Sequence, residues 1–148
     1  MQMNKVLIYA AFWSFQAINT LTGSLMTFIP KQFHESLFNN PALVYEKLGI
    51  SSVGVEMFHN VIRGHGAVLL AVSIFLFFQG VKLRSTYLLI LIVCLLSVYA
   101  HIMTLNQHLR NEDIIRTIGN LYSLYWTVFI TSIVCILNCI VYFKWKNS

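Results

Sequence analysis

The chain has 148 residues, of which 57% are hydrophobic and only 10% are charged. A soluble domain carries about 25% charged residues, so this composition and the mean hydropathy of +0.70 exclude an ordinary soluble domain and indicate an integral membrane protein. In such a protein the net charge of +5 reports orientation in the membrane rather than nucleic-acid binding, because Lys and Arg gather beside cytoplasmic helix ends.

Four continuous apolar runs predict four membrane-spanning helices in a single domain that covers residues 1–148. The predicted spans cover about residues 6–29, 62–79, 86–106 and 118–143. Each is close to the ~20 residues that a helix needs to cross a bilayer core, and the runs do not alternate in polarity as barrel strands do. We therefore expect an all-α fold, an integral membrane four-helix bundle with both termini on the same side.

The connections between the predicted spans differ in length. The first, residues 30–61, is the only long loop, so any lid or mouth of a site belongs to it. Its opening stretch, PKQFHESLF, predicts a short amphipathic helix at the membrane interface, with Phe33 and Leu37 on its apolar side. The second connection, GVKLRS, is a tight hairpin that begins at Gly80, a natural helix stop.

The distribution of charge predicts which side the termini face. Lys and Arg divide equally between the two sides, but those on the side of the termini lie in short segments beside the helix ends, without acidic neighbours. Basic residues in short segments are retained on the cytoplasmic side. We therefore predict a multi-pass protein of the inner or plasma membrane with both the N- and the C-terminus in the cytoplasm.

Two of the predicted spans carry a stripe of polar and small side chains along one face. Polar groups that face lipid are costly, so both stripes are expected to face the interior of the bundle. The stripe on the first span consists of Gln16, Asn19, Gly23 and Thr27, and the stripe on the third span consists of Cys94, Ser97, His101, Thr104 and His108.

Two histidines are predicted to meet across the hairpin that joins the second and third spans. His65 and His101 lie equally far along the chain from Leu83, at the centre of the hairpin. Because the rise per residue is constant in a helix, we expect both at the same depth, on the side away from the termini. Antiparallel helices joined by a short turn pack side by side, so the two imidazoles are expected to approach each other.

These features predict a small polar cavity that opens away from the side of the termini. Arg63 offers a fixed positive charge to an anionic or carbonyl-bearing ligand, and the imidazoles of His65 and His101 can transfer protons or ligate a metal or haem. The competing interpretation is plain packing, in which polar side chains only form hydrogen bonds between helices. The candidate ligand-binding residues are Gln16, Asn19, Arg63, His65, Ser97 and His101.

The approach to the second span carries a short family signal. The stretch IRGHGAVLLAVSIFLF follows a first helix that ends at Pro30 and a loop of medium length, and it precedes a tight basic hairpin. This layout resembles the DoxX-like group of small four-helix membrane proteins, with sequence-level likeness at Arg63, Gly64 and Gly66. The resemblance implies a four-helix bundle and, for some members, an association with quinone-linked oxidoreductase complexes.

Three functions stay open at the level of sequence. The first is a DoxX-like membrane subunit that binds a quinone- or lipid-like molecule within a membrane redox complex. The second is a structural or partner-binding membrane protein, and the third is a b-type haem-binding subunit that uses His65 and His101, the only candidate metal ligands. Quinone and haem are thus the candidate cofactors, and the lipid bilayer and other membrane subunits are the expected partners, with no nucleic acid. No nucleophile elbow or phosphate loop occurs in the sequence, so no particular reaction is predicted.

Overall fold

The fold of the described chain is helical. The computed structural model describes residues 5–38, 40–47, 49–81, 84–110 and 121–146, and every regular element in them is an α-helix. The all-α prediction is therefore confirmed, whereas the predicted start of the fourth span, residues 118–120, lies outside the described residues. The helices are α1 (Lys5–Phe28), α2 (Pro30–Glu35), α3 (Pro41–Lys47), α4 (Ser52–Gln79), α5 (Arg84–Arg110) and α6 (Leu121–Lys146).

Among the described residues, three helices are long and apolar enough to cross a membrane. The qualifying stretches are Ser52–Gln79, Arg84–Asn106 and Tyr125–Trp145, and they indicate an integral membrane protein. The helix α1 has 24 residues, which corresponds to a length of about 36 Å, but it is not one of the three. The polar stripe along α1 lowers its mean hydropathy, which explains the difference from the first predicted span.

The helix α4 begins well before the second predicted span. Its first turn is capped by Ser51, whose Oγ accepts a hydrogen bond from the Gly54 N–H over 3.2 Å. The helix then runs from Ser52 to Gln79 and ends at Gly80, where the backbone φ of 74° suits glycine. The predicted loop of residues 30–61 is thereby divided, because it contains α2, α3 and the first turns of α4.

The short helix α2 forms where the sequence predicts it but buries a different side chain. Pro30 stands at its first turn, a position that proline tolerates because the N–H it lacks would be unpaired there. The buried residues of α2 are Pro30 and His34, whereas Leu37 is exposed. The helix α2 therefore turns His34 toward the rest of the protein, and the predicted contact of Phe33 and Leu37 with a membrane interface stays a prediction.

The four long helices pack in an order that differs from their order in the chain. The helix α1 packs against α4 and α6, and α5 packs against α6. The helix α2 lies on α4 and α1. Within the described residues, α4 and α5 are not a principal pair, although only residues 80–83 separate them in the chain. Leu83, the centre of the predicted hairpin, lies outside the described residues. The expected side-by-side packing of the second and third spans is thus not observed, because α4 presents its small and polar face to α1.

A buried tyrosine connects three helices near the turn between α4 and α5. Tyr87 is fully buried, and its hydroxyl lies 3.3 Å from the Ile8 carbonyl oxygen and 3.1 Å from the Val81 carbonyl oxygen. Its ring stacks at 5.5 Å on Trp145. The first turn of α1, the start of α5 and the end of α6 therefore meet around one side chain.

A buried amide ties α6 to α1. Asn138 is fully buried, and its Nδ2 donates hydrogen bonds to the Ala11 carbonyl over 3.1 Å and to the Val134 carbonyl over 2.9 Å. An amide in an apolar setting is costly unless it is bonded, so the Asn138–Ala11 bond favours one register of α6 against α1.

Glycines allow α1 and α4 to approach closely. A Cβ on Gly66 would stand 2.6 Å from the Met26 Cβ and 2.7 Å from the Thr27 nitrogen. A Cβ on Gly23 would stand 3.1 Å from the Gly66 carbonyl oxygen. Small residues at such crossings let helix backbones come together in membranes, so this pair sets the separation of α1 and α4.

Replacing Gly66 with alanine is expected to lower the stability of the folded protein by about 1–3 kcal/mol, the usual cost of forcing an extra methyl group into a packed interface. The matched control is Gly64→Ala, because a Cβ at Gly64 meets nothing within 4 Å and alanine favours a helix over glycine by about 1 kcal/mol. SDS unfolding titrations in mild detergent measure the free energy of unfolding of both variants. Equal stability of the two variants would contradict the close approach of α1 and α4.

Candidate functional site

Two of the predicted ligand-binding residues hold α1 against α4. Gln16 and Asn19 are 5% and 7% exposed. The Gln16 Nε2 donates to the Ser73 carbonyl over 3.1 Å. The Asn19 Nδ2 donates to the Leu69 carbonyl and to the Ser73 Oγ, both over 2.8 Å. The stripe on α1 therefore faces the protein interior, and the donor groups of Gln16 and Asn19 are engaged in the contact between the helices.

Arg63 and His65 lie on the surface of α4. Both side chains are exposed, and the Arg63 guanidinium donates to the Asn60 Oδ1 over 2.7 Å. Gly64 between them faces open space. The structure therefore places Arg63 and His65 away from the buried contact of Gln16 and Asn19 with α4.

His101 and Ser97 are half-buried on α5. His101 lies within electrostatic range of His65, so the two histidines do come near each other, but no hydrogen bond joins them within the described residues. Thr104, one turn further along the predicted stripe, is exposed and bonds the Ala100 carbonyl over 2.9 Å. The stripe on α5 thus leaves the interior along its length, and the side chain of His108 lies outside the described residues.

A groove lies between α1 and α4. Its volume is about 770 Å³, within the usual 300–1,000 Å³ of small-molecule sites, which combine apolar walls with few polar groups. Of the six predicted residues, only Gln16 lines it. The other lining residues are Trp13, Ala17, Thr20, Leu21, Ser24, Leu70, Ser73, Ile74, Phe77 and Phe78.

The polar and aromatic groups occupy different parts of this groove. Thr20 and Ser24 follow Gln16 along α1 toward α2, and neither hydroxyl forms a hydrogen bond within the described chain. Trp13 and Phe77 lie at the opposite end, where their ring centroids are 6.3 Å apart. The groove therefore offers two free hydroxyls at one end and an aromatic wall at the other.

A second cluster joins the two short helices to α4. The His34 Nδ1 lies 2.8 Å from the Tyr45 hydroxyl, which lies 3.4 Å from the His59 Nε2. Burial, and then the nearby His59, lower the pKa of His34 to about 4. Burial, and then the Glu35 carboxylate, raise the pKa of Tyr45, so the phenol keeps its proton. Sequence reasoning missed this cluster, because its members come from three separate elements.

The described residues contain no group of three or more His, Cys, Asp or Glu side chains that could hold a metal ion. His65 and His101 therefore stay a candidate pair without a third ligand of these types. The cluster of His34, Tyr45 and His59 contains only two residues of these types and is held by hydrogen bonds.

Comparison with known proteins gives no relative of this chain. No protein-family model matches it, and no curated protein and no solved structure matches it. The resemblance to the DoxX-like group therefore stays a prediction based on layout.

The hydrogen bond between the Asn19 and Ser73 side chains is expected to couple the two positions energetically. A double-mutant cycle of Asn19→Ala and Ser73→Ala should give a coupling of about 0.6 kcal/mol, the typical value for side-chain bonds between membrane helices. The measurement is the free energy of unfolding of the four proteins in SDS titrations. Gln16 provides the control cycle, because it bonds the main-chain carbonyl of Ser73, which Ser73→Ala retains. Equal coupling energies in the two cycles would contradict a hydrogen bond between the Asn19 and Ser73 side chains.

Proposed function

We propose that this protein is a small membrane subunit that binds an amphipathic molecule, quinone-like or lipid-like, in the groove between α1 and α4. The observation that carries the proposal is the groove itself, whose mostly apolar lining includes two hydroxyls, those of Thr20 and Ser24, that form no hydrogen bond within the described residues. A hydroxyl in hydrocarbon is costly without a hydrogen-bond partner. A carbonyl-bearing head group next to Thr20 and Ser24 supplies the missing acceptors.

The surroundings of the groove indicate that its ligand comes from the bilayer. Leu21, Ile74 and Phe78 line it and expose 63%, 58% and 82% of their surfaces. Such side chains face lipid in a membrane protein, so the groove opens toward hydrocarbon. A ligand with an apolar chain reaches it laterally, and its chain packs against Trp13 and Phe77.

The structural alternative also has a specific observation in its favour. The donors of Gln16 and Asn19 are used in bonds between α1 and α4, as expected of polar residues that only assemble helices. The two functions differ in the role of Thr20 and Ser24, whose hydroxyls bond neither helix in the part of the chain that the structure describes.

The proposal includes four spans, with α1 crossing beside the three more apolar helices and both termini in the cytoplasm. Two features support α1 as a fourth span and the position of both termini on one side. The polar face of α1 is covered by α4, which removes the main cost of placing α1 in a membrane. Tyr87 contacts both Ile8, near the start of α1, and Trp145, near the end of α6, so the two ends of the described chain lie close together. A DoxX-like type and further membrane subunits belong to the same proposal.

Filling the groove is expected to remove its ligand. Ala17 lines the groove and is exposed, so Ala17→Phe occupies the space without disturbing the contact between the helices. After purification in mild detergent, solvent extraction and mass spectrometry should show at least about a tenfold loss of the copurified molecule, the equivalent of 1.4 kcal/mol. Thr20→Val keeps the shape but removes a hydroxyl, and should cause roughly a fivefold loss, because one hydrogen bond contributes about 1 kcal/mol.

The matched control is Ala10→Phe, an exposed position on α1 outside the groove. Equal extraction from Ala10→Phe and Ala17→Phe, or no stoichiometric molecule in the unmodified protein, would favour the structural alternative. The mass and redox spectrum of the extract separate a quinone from a lipid. A Soret band lost in His65→Ala would instead identify a b-type haem protein.

The proposed topology predicts that tags at both ends report the same compartment. A reporter after Ser148 and an N-terminal tag should both behave as cytoplasmic, because four spans return the chain to its starting side. Protease protection of the tags in right-side-out and inverted vesicles measures this. Tags on opposite sides would show that α1 does not cross, and an external reporter after Ser148 would overturn the orientation.

A further inference from the structure

The hydrogen-bonded cluster of His34, Tyr45 and His59 connects three helices. His34 belongs to α2, Tyr45 to α3 and His59 to α4. The two imidazoles are 6% and 9% exposed, and no other side-chain hydrogen bond between either short helix and α4 occurs in the described residues. The two short helices are thus tied to α4, as far as side-chain hydrogen bonds go, through this one phenol.

Aromatic rings surround His34. The ring centroids of Phe58 and Phe38 lie 4.8 Å and 5.0 Å from that of His34, both in edge contacts, and the His59 ring lies at 5.5 Å. Such surroundings solvate an imidazolium poorly, so they favour a neutral imidazole at this position.

The number of protons decides how many of the hydrogen bonds can form. With both imidazoles neutral, Tyr45 donates its O–H to one ring and accepts an N–H from the other, so both bonds form. With one added proton, the imidazolium donates to the Tyr45 oxygen, and the Tyr45 O–H donates to the other ring. A second proton turns both rings into donors, so the Tyr45 O–H loses its acceptor and two positive charges face each other.

We propose that the His34–Tyr45–His59 cluster is an acid-sensitive latch, which holds α2 and α3 on α4 when it is neutral and whose hold is weakened by added protons. The latch is independent of the ligand groove, since none of its residues lines that groove.

The other charged side chains near the latch are less buried than its two imidazoles. Glu35, on α2, is half-buried and interacts with Tyr45. The charged side chains of α3 and of the first turns of α4, Glu46, Lys47, Glu56 and Arg63, are exposed, as is Lys31 on α2. The last turns of α1, which pack on α2, contain no titratable side chain. The buried titratable groups are therefore the two imidazoles themselves.

The direction of the pH response follows from the shift at His34. Its pKa is lowered to about 4 in the docked state, against 6.5 for an ordinary histidine. Between pH 6.5 and pH 4, His34 therefore binds more protons when α2 and α3 are released than when they are docked on α4. The docked state is thus most stable above about pH 6.5 and becomes less stable as the pH falls toward 4. From this gap, the released fraction should rise roughly thirtyfold between about pH 7.5 and about pH 5.

Hydrogen–deuterium exchange of the full-length protein in mild detergent tests the latch. Protection factors, which remove the intrinsic effect of pH on exchange, are compared at about pH 7.5 and about pH 5 for peptides that cover residues 31–47. The expected result is a loss of protection of ten- to thirtyfold at the lower pH in these peptides, with α5 and α6 unchanged. His34→Gln keeps a neutral hydrogen-bonding group and should abolish the pH dependence.

Two further variants complete the test. Tyr45→Phe removes the shared hydroxyl and should leave residues 31–47 weakly protected at both pH values, which keeps the test decisive if His34→Gln does not fold. His65→Gln removes an exposed imidazole from α4 outside the latch and should respond to pH like the unmodified protein. Unchanged protection at about pH 5, a pH response that persists in His34→Gln, or an equal loss across α5 and α6 would each overturn the proposal.

Discussion

The contact between α1 and α4 is the interaction on which the rest of the structure depends. In surroundings without water, each polar group needs a partner inside the protein, and Gln16 and Asn19 find theirs at Ser73 and Leu69 on α4. Gly66 brings the two backbones close enough for those bonds. Because this face of α4 packs against α1, the main contact of α4 is with α1 rather than with α5, the next long helix in the chain.

The central position of α1 follows from the same constraint. Among the four long helices it is the one without a described stretch apolar enough to cross a membrane, yet it packs against both α4 and α6, where the Asn138 Nδ2 donates to the Ala11 carbonyl. The donor groups of Gln16 and Asn19 on its polar face form hydrogen bonds to α4, whereas Thr20 and Ser24 line the groove between α1 and α4. The groove lies beside these two hydroxyls, which take no part in the described hydrogen bonds that pair the helices.

Sequence patterns predicted the helices and the inward face of α1, because hydropathy and helical periodicity are local properties. They did not predict which helix lies opposite a polar face, since several helices can supply acceptors and only packing selects among them. The same limit explains why His65 and His101 were expected to share one cavity with Gln16, whereas only Gln16 lines the groove. The burial of His34 was not predicted, because the spacing of Phe33 and Leu37 marks a different face of this segment. The position of Tyr45 beside His59 depends on how α3 packs, which is not a local property of the sequence.

The side-chain hydrogen bonds between helices fall into two groups according to the helices that they join. Amides and hydroxyls join the long helices, and none of these groups titrates in the physiological range. Imidazoles and a phenol join α2 and α3 to α4, and burial lowers the pKa of His34 and raises the pKa of Tyr45. Protons can therefore weaken the attachment of the short helices while Asn19 and Ser73 keep their bond. In the proposed latch, α2 and α3 therefore respond to acid while the hydrogen bonds between α1 and α4 stay in place.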